Sequence, residues 1–91
     1  MRNNLERQSL EKLRSRIDEL DIELLILLNE RAKCVIKIGK IKQKEKKGVL
    51  VPLREKELLD TLRTVNKGPM TDTMVIYLFQ QIIDTLKDLQ K

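Results

Sequence analysis

The sequence has no histidine and no tryptophan, one cysteine, two prolines and three glycines in 91 residues. Without His it lacks the commonest general acid/base near pH 7. With Cys34 alone it lacks a zinc ligand set and any intramolecular disulfide. Aromatics are 2% of the chain, so it has no stacking platform for nucleic acid and must build its core from Leu, Ile and Val. No apolar run approaches the ~18 residues of a membrane span. Met1 to Arg7 is polar and leads into no apolar run, unlike a signal peptide. These absences predict a cytoplasmic protein that touches neither membrane nor nucleic acid.

What is present is charge and helical periodicity. Charged residues are 36% of the chain and apolar ones 41%, too apolar for disorder, with a net charge of +5. A positive balance without aromatics suits a small anionic ligand drawn in by the field. Leu10, Leu13, Ile17, Leu20, Leu24, Leu27, Arg31, Cys34, Ile38 and Ile41 follow one another at steps of three and four. That stripe predicts one long helix from about Ser9 to about Lys46, roughly 55 Å. Ser9 is the expected N-cap, with Lys12 where a capping-box Glu would stand, and residues 1–8 are expected as a flexible extension. The run Lys44-Glu45-Lys46-Lys47-Gly48 reads as a solvated break. Pro52 then suits the first position of a second helix, to about Val65, with Leu53, Leu58, Leu59 and Leu62 behind it. Asn66-Lys67-Gly68-Pro69 is a turn, and Thr71 or Asp72 caps a third helix with Val75, Leu78, Phe79, Ile82, Ile83, Leu86 and Leu89 on one side. The expected fold is all-α, a single domain over 1–91. The long helix outruns what forty-odd further residues can cover, which predicts a partner, most simply a homodimer.

Several charged residues stand where apolar ones belong. Arg31 falls in the stripe between Leu27 and Cys34. A snorkelling side chain explains a single such Arg. Lys42, eleven residues on, lies only about 20° from Arg31 around the helix and about 16 Å along it, so the two cations share a face. Taken alone, Lys42 reads better as one more surface lysine in a lysine-rich run. Arg14 is seventeen residues from Arg31, about 25 Å along one helix. An antiparallel partner helix would bring its Arg14 beside this Arg31, giving two composite sites. Arg54-Glu55 opens the second helix, and Gln90 continues the apolar line of the third.

The segments LRSRIDELDIELLILLNERAKCVIKIGKIK (13–42), PLREKELLDTL (52–62) and NKGPMTDTMVIYLFQQIIDTLKDLQ (66–90) resemble, in order and over about nine-tenths of the chain, the all-helical (AroQ-class) chorismate mutases. The likeness includes dispersed polar positions as well as apolar pattern. It is strongest to mutase domains fused to DAHP synthase or prephenate dehydratase. The resemblance implies an intertwined homodimer of three-helix chains that isomerises chorismate to prephenate in phenylalanine and tyrosine biosynthesis. It implies no cofactor and no metal, and an association with another shikimate-pathway enzyme. By matching position, Arg14 would enter the partner's site and Arg31 would hold a substrate carboxylate. Lys42 and Gln90 would donate to the ether oxygen of the breaking bond. Glu55 would take the ring hydroxyl, and Arg54 would help neutralise a carboxylate. Two positions depart from the family pattern: Val51, where some members carry an aspartate, and Leu86, where some carry a serine. Both remove accessory hydrogen bonds at the substrate. Two other readings remain open. Isochorismate-pyruvate lyase shares the fold, but Glu55 counts against it. A non-catalytic chorismate- or prephenate-binding regulatory domain is favoured by Val51 and Leu86.

Overall fold

The computed structural model describes residues 4–45 and 51–90, without the side chains of Glu45, Val51 and Pro52. The break expected at Lys46 to Gly48, the packing of Pro52 and the Val51 side chain lie outside the described residues. All described elements are helical: α1 (Asn4–Glu45), α2 (Val51–Val65), α3 (Asp72–Lys87) and a closing 3₁₀ turn, η1 (Asp88–Gln90). The all-α fold with one long, one short and one medium helix is the one expected.

Two ends differ from the sequence expectation. α1 begins at Asn4 rather than behind a cap at Ser9. No Gly or Pro interrupts Asn4 to Ser9, and Glu6 in the first turn complements the positive end of the helix. α3 stops at Lys87, and the chain tightens into η1 instead of continuing as α-helix through Gln90. A last turn with i→i+3 bonds is a common way to end a helix, and here it sets the position of Gln90.

The chain divides into two compact units, 1–33 and 34–91. The first is the N-terminal part of α1 alone. The second holds the end of α1 with α2, α3 and η1. Within it α2 packs on α3, burying Val75 and Ile83 and half-burying Leu58, Leu59, Leu62, Ile76, Phe79 and Leu86. The α2–α3 turn is held by Asn66. Its Oδ1 accepts from Gly68 N (3.1 Å), and its Nδ2 donates to Met70 O (2.9 Å) and Asp72 Oδ1 (3.0 Å). Gly68 has φ 76°, a left-handed conformation that glycine adopts without the Cβ penalty, and the Gly68–Pro69 bond is cis. Thr71 caps α3, its Oγ1 accepting from Met74 N at 3.1 Å.

The line through Leu27, Arg31 and Cys34 is the apolar stripe that the sequence leaves for a partner, and the face buried within the single chain is a neighbouring one. Burial on α1 follows Ala32, Val35 and Gly39, with Leu28 and Lys42 half-buried. That line is displaced by one residue, about 100° around the helix. The expected stripe stays open: Leu13, Ile17, Leu20, Leu24 and Leu27 are 43–62% exposed. Leu24 to Leu28 are five consecutive apolar residues, so α1 is apolar all round there. A helix apolar on every side belongs inside an assembly, not at a water boundary.

Candidate functional site

The second unit carries two pairs of polar side chains, drawn from its three α-helices and η1. Lys42, near the end of α1, donates from Nζ to Gln90 Oε1 at 3.2 Å, a part-buried bond between residues 48 apart in sequence. Lys42 keeps two further N–H groups and Gln90 its amide NH₂, so the pair can donate to a third atom. The approach depends on Gly39. A Cβ there would meet the Gln90 backbone, at 2.8 Å from O, 2.9 Å from Cα and 3.2 Å from C. Glycine therefore allows η1 to lie directly on α1, and Lys42, three residues on, reaches Gln90 from the same side.

The second pair is Glu55 on α2 with Lys87 on α3. The Lys87 Nζ lies 2.5 Å from Glu55 Oε1, and the Glu55 side chain is only 19% exposed. That oxygen is shut off from solvent and finds no hydrogen bond of regular geometry, so what satisfies it is the adjacent ammonium charge. Asp84 Oδ1 stands 3.5 Å from the same ammonium. The contact with Glu55 is the main reason the Lys87 ammonium is held above its usual range. Desolvation opposes the shift, and Asp84 adds to it.

The other expected residues are placed as follows. Arg54 is exposed at the start of α2, and Leu86 is half-buried on α3. Arg31 is half-buried and Arg14 exposed, both in the first unit. Among the described residues neither guanidinium has a hydrogen-bond or ion-pair partner. A half-buried cation left unpaired is available to an anion. Cys34 is exposed, and no cluster of His, Cys, Asp and Glu able to hold a metal occurs among the described residues.

Two participants escaped the sequence reading. Gly39 sits inside an unbroken helical pattern, and an isolated helical glycine can mark a close backbone approach. Lys87 precedes Gln90 by three residues and carried no pattern of its own.

Chemically, the site offers donors and fixed charges. One cation–amide donor pair and one ionic carboxylate sit on the helices of the second unit. Such a set orients an anionic molecule and stabilises charge developing on an oxygen.

Comparison with known proteins gives a consistent result. The family model described as chorismate mutase type II matches residues 13–91. The bifunctional chorismate mutase/prephenate dehydratase of Aquifex aeolicus is 36% identical over 88 residues, covering 92% of this chain and 24% of that protein. The chain thus spans about a quarter of the length of that curated relative. Among solved structures, chorismate mutase from Thermus thermophilus (form II) superposes with a TM-score of 0.87 at 33% identity, over 90% of this chain and 93% of that one. Chorismate mutase from Helicobacter pylori, in complex with prephenate, gives 0.82 at 30% identity, over 91% and 90%.

Proposed function

The chain belongs to the type II chorismate mutase family, and from that membership we propose that it isomerises chorismate to prephenate as a homodimer. The observation that carries the reading is the Lys42–Gln90 hydrogen bond. It joins, across 48 residues of sequence, the two side chains that would donate to the ether oxygen.

The rearrangement is pericyclic and takes place within one molecule. It breaks a C–O bond as a C–C bond forms, and needs no nucleophile or proton relay, so a chain without His can catalyse it. The catalyst has to hold the folded conformer in which the reacting carbons meet, which is a positioning task. Arg31 and the partner subunit's Arg14 would each clamp a carboxylate, where the guanidinium fork matches both oxygens and an ammonium would not. Arg54 would add to that neutralisation. As the C–O bond opens, negative charge grows on the ether oxygen. Lys42 and Gln90 would bind that oxygen more strongly in the transition state than in the ground state, which is what accelerates the step. Glu55 would accept the ring hydroxyl. Val51 and Leu86 would line the site without the accessory hydrogen bonds of other members.

The dimer accounts for the open stripe on α1. Covering five Leu and Ile side chains that are now about half exposed is worth on the order of 1 kcal/mol each. The dimer also brings the second arginine. The bifunctional relatives support an association with an enzyme that consumes prephenate. A cytoplasmic location fits the reading, and no helix among the described residues is long and apolar enough to cross a membrane.

The test is to incubate the purified protein with chorismate and follow the loss of its absorbance. Turnover to prephenate is expected. A folded dimer that leaves chorismate unchanged refutes the assignment.

A further inference from the structure

Glu55 is an unusual carboxylate for this chain. The ion pairs of α2 with itself, Lys56–Asp60 and Arg63–Asp60, have both partners 43–74% exposed. Such pairs are worth little and can form anywhere on a surface. Glu55 is different: its side chain is 19% exposed, and one oxygen has no access to water. Taking a carboxylate largely out of water is unfavourable, and pairing with an ammonium offsets this without turning into a large net gain. Fold stability alone gives no reason to keep it there. The ammonium that meets it comes from another helix and also lies 3.5 Å from Asp84 Oδ1. Lys87 is also one turn before Gln90, so the residue that fixes Glu55 and the residue that completes the Lys42 pair are carried by one short stretch of chain.

The geometry points to Lys87 as a positioning residue: its ammonium occupies Oε1 of Glu55, so that the carboxylate stays oriented and its other oxygen remains free for the substrate's ring hydroxyl. This rests on the mutase reading of Glu55. In that reading Lys87 touches no reacting atom. It acts through Glu55 alone, and Asp84 keeps the ammonium from swinging out to solvent. Nothing in the sequence pattern marks this position.

The experiment is a double-mutant cycle on the 91-residue chain, measuring kcat and KM for chorismate in the wild type, Lys87→Met, Lys87→Arg, Glu55→Gln and the double variant Lys87→Met/Glu55→Gln. Folding is checked by circular dichroism. Wild-type turnover is the control for the mutase reading, and its absence overturns that reading and this one together. With the wild type active, Lys87→Met is expected to lower kcat/KM about tenfold through lost orientation, mostly by raising KM, because Glu55 grips the hydroxyl before and during reaction. Lys87→Arg restores activity to within about threefold, since it keeps the charge on Oε1. In the Glu55→Gln background Lys87→Met costs nothing further, because the residue it positions has gone. Lys87→Gln replaces Lys87→Met if the latter does not fold. Full activity in the neutral variant, an Arg variant as impaired as the Met one, or losses that multiply in the double variant each refute the proposal.

Discussion

Replacing Gly39 by Ala separates local helix energetics from the geometry of the site, because the two respond in opposite directions. Within a helix, Ala is favoured over Gly by about 1 kcal/mol, so on α1 alone the change stabilises. At this position the new Cβ would stand 2.8 Å from Gln90 O and 2.9 Å from Gln90 Cα. Those atoms are backbone, so no rotamer change relieves the contact. η1 must retreat from α1 by about half an ångström or more to reach ordinary van der Waals separation. The Lys42–Gln90 bond is 3.2 Å long at the start. The same retreat takes it past the limit of a useful hydrogen bond. Complete loss of one transition-state donor costs on the order of 10²–10³ in rate. A displaced donor retains part of its effect, so kcat/KM for Gly39→Ala is expected to fall about 10- to 100-fold, or about 1.4–3 kcal/mol. Thermal stability should change by only a few degrees, because the propensity gain opposes the clash. The assay is the chorismate absorbance decay, with thermal denaturation followed by circular dichroism on the same samples. A Gly39→Ala protein that keeps activity within about threefold of wild type would refute the reasoning that this glycine sets the place of Gln90.

Three further outcomes are expected. Lys42→Ala should lose turnover by on the order of 10²–10³ while sedimenting as the wild type does, and normal turnover in that variant would mean the ether-oxygen donor is misassigned. Arg14→Ala and Arg31→Ala should each be nearly inactive, yet mixing equal amounts under subunit exchange should recover about a quarter of wild-type activity. Half of the dimers would then be mixed, each with one intact composite site of two; no recovery would show that both arginines act within one chain. The Asp60 carboxyl is held below the usual carboxylate range, first by the hydrogen bond from Lys56 and then by that from Arg63. A depressed carboxyl stabilises the fold above its ordinary titration range and loses that contribution as pH falls through its folded value. Thermal stability should therefore decline below about pH 4, and Asp60→Asn should flatten part of that decline in a pH series of melts.

The local features of this protein were legible without coordinates. Three helices, the turn at Asn66 to Pro69, a cap at Thr71 or Asp72 and the cationic set on α1 each follow from neighbours in sequence. Periodicity, capping chemistry and glycine conformation act over a few residues. Arg31 breaks the apolar pattern of α1. The line through Leu27 and Cys34 is exposed in the single chain, because a stripe of apolar residues records that a face will be covered without recording by what.

Tertiary structure decided which atoms meet. Burial on α1 runs through Ala32, Val35 and Gly39, about 100° from the stripe, because docking depends on the shape of both surfaces. Lys42 meets Gln90 across 48 residues, and Glu55 meets Lys87 across the α2–α3 packing. No periodicity along one helix reports such contacts. The sequence by itself determined the helices and supplied the charges. Only the packing of backbone on backbone at Gly39, and of α2 on α3, decided which of those charges stand together.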